Sequence, residues 1–281
     1  MTTDSVPPIP SDRPVTLPRE ACELLALVDF TTSGRRVLDI LLSRHSPADG
    51  TVVISKRELT SALGATLPAV NRGLRELTLT GVVRQVEGER GRYLLHPLLT
   101  GAAADRPEAG ADGIRAIDPD AFKEQRRRRY DLAVGAARPA GGAPYVPPIP
   151  TDEPVSVPRE VCELLALVDL TATGRRVLDV LLSRYAPEDG TAGITQREMA
   201  AALGAAFPAV NRGFRELAQT GLAWGVKGGR GVYQLHPLLT GGAVSSPVMA
   251  CPVIQAVDPD SFSAQRRLRY ATQIASLPNT A

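Results

Sequence analysis

The 281-residue sequence is poor in several features that would narrow its chemistry. It has three cysteines, Cys22, Cys162 and Cys251, with no C-x-x-C spacing, and two of them fall in apolar helical patterns. Free buried thiols in a reducing compartment are therefore expected, rather than disulfides or metal ligands. No apolar run approaches the roughly 18 residues of a membrane span, and nothing resembles a signal peptide. The expected location is cytoplasmic, on the nucleoid, with no membrane contact. Net charge is scarce at +2, which alone does not call for nucleic acid. Lysine is nearly absent: all but Lys56, Lys123 and Lys227 of the 32 basic residues are arginine. That bias reads first as the mark of a GC-rich genome and only second as a need for planar, bidentate donors.

Catalytic groups are also missing from the pattern. His45 becomes Tyr185 at the equivalent position of the second half, and His96 and His236 precede proline without nearby cysteine or acidic ligands. The glycine turns "GERG" and "GGRG" are not followed by the Lys-Ser/Thr helix start of a phosphate-binding loop. No nucleophile stands beside a base. The chain reads as a non-enzyme with no metal and no cofactor.

What is present is a duplication. At an offset of 140 residues, "CELLALVD" at 22 meets "CELLALVD" at 162, "HPLLTG" at 96 meets "HPLLTG" at 236, and "QRRRRY" at 125 meets "QRRLRY" at 265, without a gap. A hydrophobic content of 43% and a charged content of 22% suit two folded domains. The expected organisation is module 1 at 6–134, a Pro/Gly/Ala-rich linker at 135–157, and module 2 at 158–275.

Each module repeats one order of elements. "LPREACELLALVDF" and "TTSGRRVLDILLSR" carry apolar residues at helical spacing, and "TVVI" is a strand candidate. "SKRE" and "TQRE" each offer a capping box to the next helix, through Ser55 with Glu58 and Thr195 with Glu198. "LGATLPAVNRGLRELTLTG" (63–81) and "LGAAFPAVNRGFRELAQTG" (203–221) are helices despite an early proline and an internal glycine. Pro68 falls in the first turn, where a missing N–H costs nothing, and Thr66 is the expected cap, lost at Ala206. Two strand-like runs around a polar turn complete the unit, the Ala/Gly-rich stretch 102–117 reads as a loop, and "DPDAFKEQRRRRYDL" reads as a helix opening on Asp118 and Asp120. The fold class is mainly α with small β-hairpins (α+β).

Two helices joined by a three-residue turn through Gly64, then a hairpin, have the spacing of a winged helix-turn-helix. The expected boundaries are about 55–80 with a wing at about 82–96, and about 195–220 with a wing at about 222–236. With Val70, Leu74 and Leu77 packed inward, Asn71, Arg72 and Arg75 face outward, as do Asn211, Arg212 and Arg215. Those side chains suit the major groove: arginine pairs bidentately with guanine and asparagine with adenine. Arg57, Arg90, Arg92, Arg197, Lys227 and Arg230 are the expected wing and phosphate contacts. The bland alternative is a solvated i,i+4 pair of Arg72 with Glu76. The wings differ, "EGERGR" against "KGGRGV", so the second is expected to hold phosphate more strongly. "QRRRRY" reads, on balance, as the last turn of a solvated helix, with Phe122 and Tyr130 docking it on its own module or its twin.

"ISKRELTSALGATLPAVNRGLRELTLTGVV" with "GRYLLHPLLTG" resembles the winged-helix domain of RepL-type plasmid replication initiators and, more loosely, MarR-like bacterial regulators. His96 and His236 stand where the RepL-type strand ends in asparagine before proline, and the likeness covers 36–101 and 176–241. It implies winged helices that bind double-stranded DNA at an origin or a promoter. The tandem duplication departs from that family's single module. Taken together, these features predict a sequence-specific DNA-binding protein, a transcriptional regulator, acting as a pseudo-dimer within one chain on direct or inverted repeats. The alternatives are a replication-initiator-like or nucleoid-associated protein and, from another class, a protein-interaction scaffold.

Overall fold

A computed structural model describes residues 8–100, 113–135, 145–242 and 251–277. Most of the loop read at 102–117 and residues 136–144 of the linker lie outside these ranges. Ten α-helices and three small antiparallel sheets make up the described chain. No helix among the described residues is long and apolar enough to cross a membrane.

Module 1 opens with a strand, β1 (Val15–Leu17), and two helices, α1 (Arg19–Leu27) and α2 (Thr32–Arg44). Next come β2 (Thr51–Val53), α3 (Lys56–Leu63), α4 (Leu67–Leu79), β3 (Val83–Gln85), β4 (Arg92–Leu95) and, after a 3₁₀ turn, α5 (Glu124–Ala133). Module 2 repeats this as β5 (Val155–Val157), α6 (Arg159–Leu167), α7 (Ala172–Arg184), β6 (Thr191–Gly193) and α8 (Gln196–Leu203). It ends with α9 (Phe207–Gln219), β7 (Ala223–Gly225), β8 (Val232–Leu235) and α10 (Ala264–Ser276). The hairpin strands β3 and β4 extend to β2 in the order β2-β4-β3, and the second module has β6-β8-β7.

Local chemistry accounts for the helix ends. The Ser55 and Thr195 capping boxes are formed, with both reciprocal bonds present. Gly64 ends α3 in the left-handed region at φ 55°, and Gly204 ends α8 at φ 56°, where a side chain would be strained. Pro68 sits in the first turn of α4 as the sequence requires. Thr66, however, makes no side-chain bond at that helix start, and neither does Ala206. The expected difference in how firmly α4 and α9 are capped is therefore absent; both helices start on a first-turn proline without a side-chain cap.

The sequence repeat is not the packing unit. Helix α1 packs chiefly on α7 of the other module, and α2 on α6. Strand β1 pairs with β5, with Thr16 opposite Ser156 and Val15 opposite Val157. Thr16 and Ser156 are equivalents in the two copies, so a pseudo-twofold axis passes between them. The segment read as the end of the linker is therefore a strand, Val155–Val157, whose partner lies 140 residues away in the first copy. Three residues with one position that is not buried carry too little periodicity to be read from sequence.

Arginines seal this exchange in reciprocal pairs. Arg19 donates through Nη1 to the Ser183 and Tyr185 carbonyls at 3.2 and 2.8 Å, and Arg159 to those of Ser43 and His45 at 2.7 and 2.9 Å. Arg35 meets Asp179, and Arg175 meets Asp39, each at 2.8 Å and almost wholly buried. Glu23 receives Arg184 at 3.0 Å and Arg129 at 2.6 Å, while Glu163 receives Arg44. Buried pairs of this kind add little net stability against apolar packing, but they reject any register that would leave a charge unpaired. Cys22 and Cys162 lie near this seam, fully buried, and burial pushes both thiols up to about 12.

Candidate nucleic-acid interface

Helix α4 has two faces. Val70, Leu74 and Leu77 are buried as expected, and Gly73 lies against α2: a Cβ there would come within 2.9 Å of the Ser33 carbonyl oxygen and a Val37 methyl. In α9 the equivalent residues Val210, Phe214 and Leu217 are buried, with Phe214 stacked on Tyr233 of β8 at 4.1 Å between ring centroids. On the opposite face Asn71, Arg72 and Arg75 are exposed, as are Arg212 and Arg215, while Asn211 is half-buried. Arg72, Arg75, Arg212 and Arg215 form no ion pair among the described residues.

The pair of Arg72 with Glu76 does not form. Glu76 is buried and turned the other way, accepting from the Thr31 backbone N–H and hydroxyl, both at 2.6 Å. It thus caps the start of α2, where a carboxylate is favoured by the helix dipole. Glu216 does the same for Thr171 at the start of α7, also at 2.6 Å. Gly34 and Gly174 leave room for these carboxylates, since a Cβ at either would run into the glutamate. With Glu76 buried and Glu216 half-buried in these caps, the outer face of each helix carries amide and guanidinium groups without acidic neutralisation from that position. The spacing of Thr31 and Glu76 gave no signal, because 45 residues separate them.

The remaining candidates fall into three sets. Arg57 and Arg197 are exposed in the first turns of α3 and α8. Arg90, Lys227 and Arg230 are exposed at the hairpin tips. Arg92 is half-buried and occupied: it binds Glu89 at 2.9 Å and lies 3.9 Å from Asp49. In module 2 Val232 stands in its place, and Lys227 and Gly229 replace Glu87 and Glu89, so the turn 227–230 carries two cations and no acid of its own. Arg84, on β3, is exposed as well and completes the basic rim of module 1.

The turn between α3 and α4 is braced from the other module. Arg36 donates to the Ala166 carbonyl of α6 at 2.5 Å and to the Leu63 carbonyl at the end of α3 at 2.7 Å. Arg176 makes the mirror contacts to Ala26 and Leu203 at 2.5 and 2.8 Å. Burial, together with Arg266 and Arg126 respectively, pulls both guanidiniums down to about 10. Over the same turn lies the arginine-rich helix of the opposite module: a Cβ on Gly64 would strike the backbone of Arg266, and one on Gly204 that of Arg126.

The "QRRRRY" segment is thus not simply a solvated helix end. Arg126 binds the Leu27 carbonyl and Asp29 and covers the Phe122 ring at 4.0 Å, and Arg129 reaches Glu23. Only Arg127 and Arg128 are spent on carboxylates of their own segment, Asp120, Asp131 and Glu124. Tyr130 accepts from the Ala116 N–H at 2.8 Å, and its ring meets Phe122 edge-on at 5.7 Å. The helix therefore docks on its own α1 and on α8 of the twin. Asp118 caps the preceding 3₁₀ turn and not α5, whose first turn carries Glu124.

His96 and His236 are structural too. Each Nδ1 accepts from the N–H two residues on, Leu98 or Leu238, and so starts a 3₁₀ turn through the following proline. Comparison with protein-family models, curated proteins and solved structures finds no match for the chain.

Proposed function

We propose that the chain is a sequence-specific double-stranded DNA-binding protein, two winged helices in one polypeptide that read the two arms of an inverted repeat, acting as a transcriptional regulator. The observation that carries this reading is the outward row of Asn71, Arg72 and Arg75 on a helix whose only nearby acid, Glu76, is turned into the core. That row recurs around a pseudo-twofold axis as Arg212 and Arg215, exposed, with Asn211 half-buried beside them. Two-fold proteins match two-fold sites, which favours an inverted over a direct repeat. Arg57, Arg197, Arg90, Lys227 and Arg230 supply phosphate contacts beside α4 and α9, and Arg92 orders the first hairpin tip instead of contacting DNA. The resemblance of 36–101 and 176–241 to RepL-type initiators supports the same chemistry and makes a replication origin the second context.

Selection from random duplexes followed by titration at rising salt tests the reading. A selected inverted repeat, a log–log salt slope reflecting several released counterions, and loss of site preference in Arg72→Ala/Arg212→Ala are expected. Salt-insensitive binding that ignores this double substitution, or no DNA binding with capture of a protein partner instead, would leave an interaction scaffold. Steep salt dependence without any preferred sequence would make it a nucleoid protein. Genome-wide occupancy then separates promoter from origin.

A further inference from the structure

Helices α4 and α9 each begin on a large apolar side chain held out in water. Leu67 is 49% exposed and Phe207 51%, although the next large apolar residues along, Val70 and Val210, are fully buried. Leu67 precedes Asn71 by four residues and Arg75 by eight, and Phe207 stands in the same relation to Asn211 and Arg215. On a helix that spacing places the three on one strip, an apolar tip, then an amide, then a guanidinium, exposed throughout in α4 and with only the amide of Asn211 half-buried in α9. Nothing in the core requires a large apolar group at that position.

The strip has the chemistry of a base-edge reader. Residues at the start of a recognition helix contact base edges, and the one apolar group a base pair shows in the major groove is the C5-methyl of a pyrimidine. We infer that Leu67 and Phe207 each cover one pyrimidine C5-methyl group, one in each arm of the site, and that their difference in shape seats the chain on its DNA in a single orientation. This rests on the DNA-binding reading above. A homodimer on a palindrome has two equivalent orientations. Here Leu67 faces one arm and Phe207 the other, while Glu87 and Glu89 mark one hairpin and Lys227 the other, within one covalent molecule.

Base-analogue scanning of the selected duplex with the full-length protein tests this. Each thymine is replaced singly by deoxyuridine, which removes only the methyl, and each cytosine by 5-methylcytosine, which adds it. One position per arm should respond by about fourfold, the value of one buried methyl-sized group. A response to deoxyuridine identifies thymine as the source, and a gain with 5-methylcytosine identifies the methylated base. Leu67→Ala should abolish the response in one arm and Phe207→Ala in the other. The Leu67→Phe/Phe207→Leu exchange should prefer the duplex with its arms swapped. If the protein selects a sequence yet no C5-methyl matters, or both alanine variants keep the full response, the inference is overturned while DNA binding stands. If no duplex is selected at all, both fall together.

Discussion

Ser55 and Thr66 look alike in the sequence, each a hydroxyl just ahead of a helix, yet only Ser55 bonds to its helix. Ser55→Ala should cost about 1 kcal/mol, whereas Thr66→Ala should stay within about 0.5 kcal/mol, by urea unfolding of the two variants. The capping box was legible because both partners sit three residues apart; the idle Thr66 was not, because no reciprocal partner stands three residues on, where Ala69 lies. The histidines carry a pH prediction. Burial holds His45 and His236 below the ordinary value of 6.5, so the unfolded chain takes up protons that the folded chain refuses. Stability should be constant above about pH 7.5 and fall as pH drops through about 6.5, before the carboxylates titrate. His45→Tyr, which installs the residue of the second copy, should make that fall shallower; an unchanged slope between about pH 7.5 and 5.5 would remove His45 from the account.

At the scale of elements, the exposed face of α4 was readable from its 3.6-residue period, and so were the buried positions. The fate of Glu76 was not, because helical spacing pairs it with Arg72 while the fold hands it to Thr31. Glu76→Ala strips two charge-assisted bonds from the start of α2 and should cost about 2 to 3 kcal/mol in thermal or urea unfolding; a loss under about 0.5 kcal/mol would mean that water replaces it without penalty. Arg36 does a different job, tying the α3–α4 turn to the far module. Arg36→Ala leaves the Leu63 and Ala166 carbonyls short of a donor. Hydrogen exchange should speed up across 63–67 and 166–168 more than in β2 to β4, and, under the proposed DNA-binding function, site discrimination should weaken more than overall affinity. Uniform acceleration everywhere would instead point to global destabilisation.

Across the whole molecule, the duplication was plain in the sequence, but the exchange was hidden, since the apolar faces of α1 and α2 would serve equally well for packing within a copy. What decides between the two is chemistry at single points, such as Arg19 reaching carbonyls in the other copy and Thr16 lying opposite its own equivalent. A protease site inserted between 136 and 144 should therefore cut the backbone without separating the halves. Size-exclusion chromatography with light scattering should still report one body of about the intact 29.8 kDa; two bodies of about half that mass would refute the exchange. The exchange also sets a schedule for synthesis. Strand β1 and helix α1 leave the ribosome roughly 140 residues ahead of β5 and α7, the surfaces they dock on. At ordinary translation speeds that is a wait on the order of 10 s, during which the apolar face of α1 has no native partner. The first copy cannot finish folding until the second has been made, so nascent chains of this protein should lean on holding chaperones until the final third emerges.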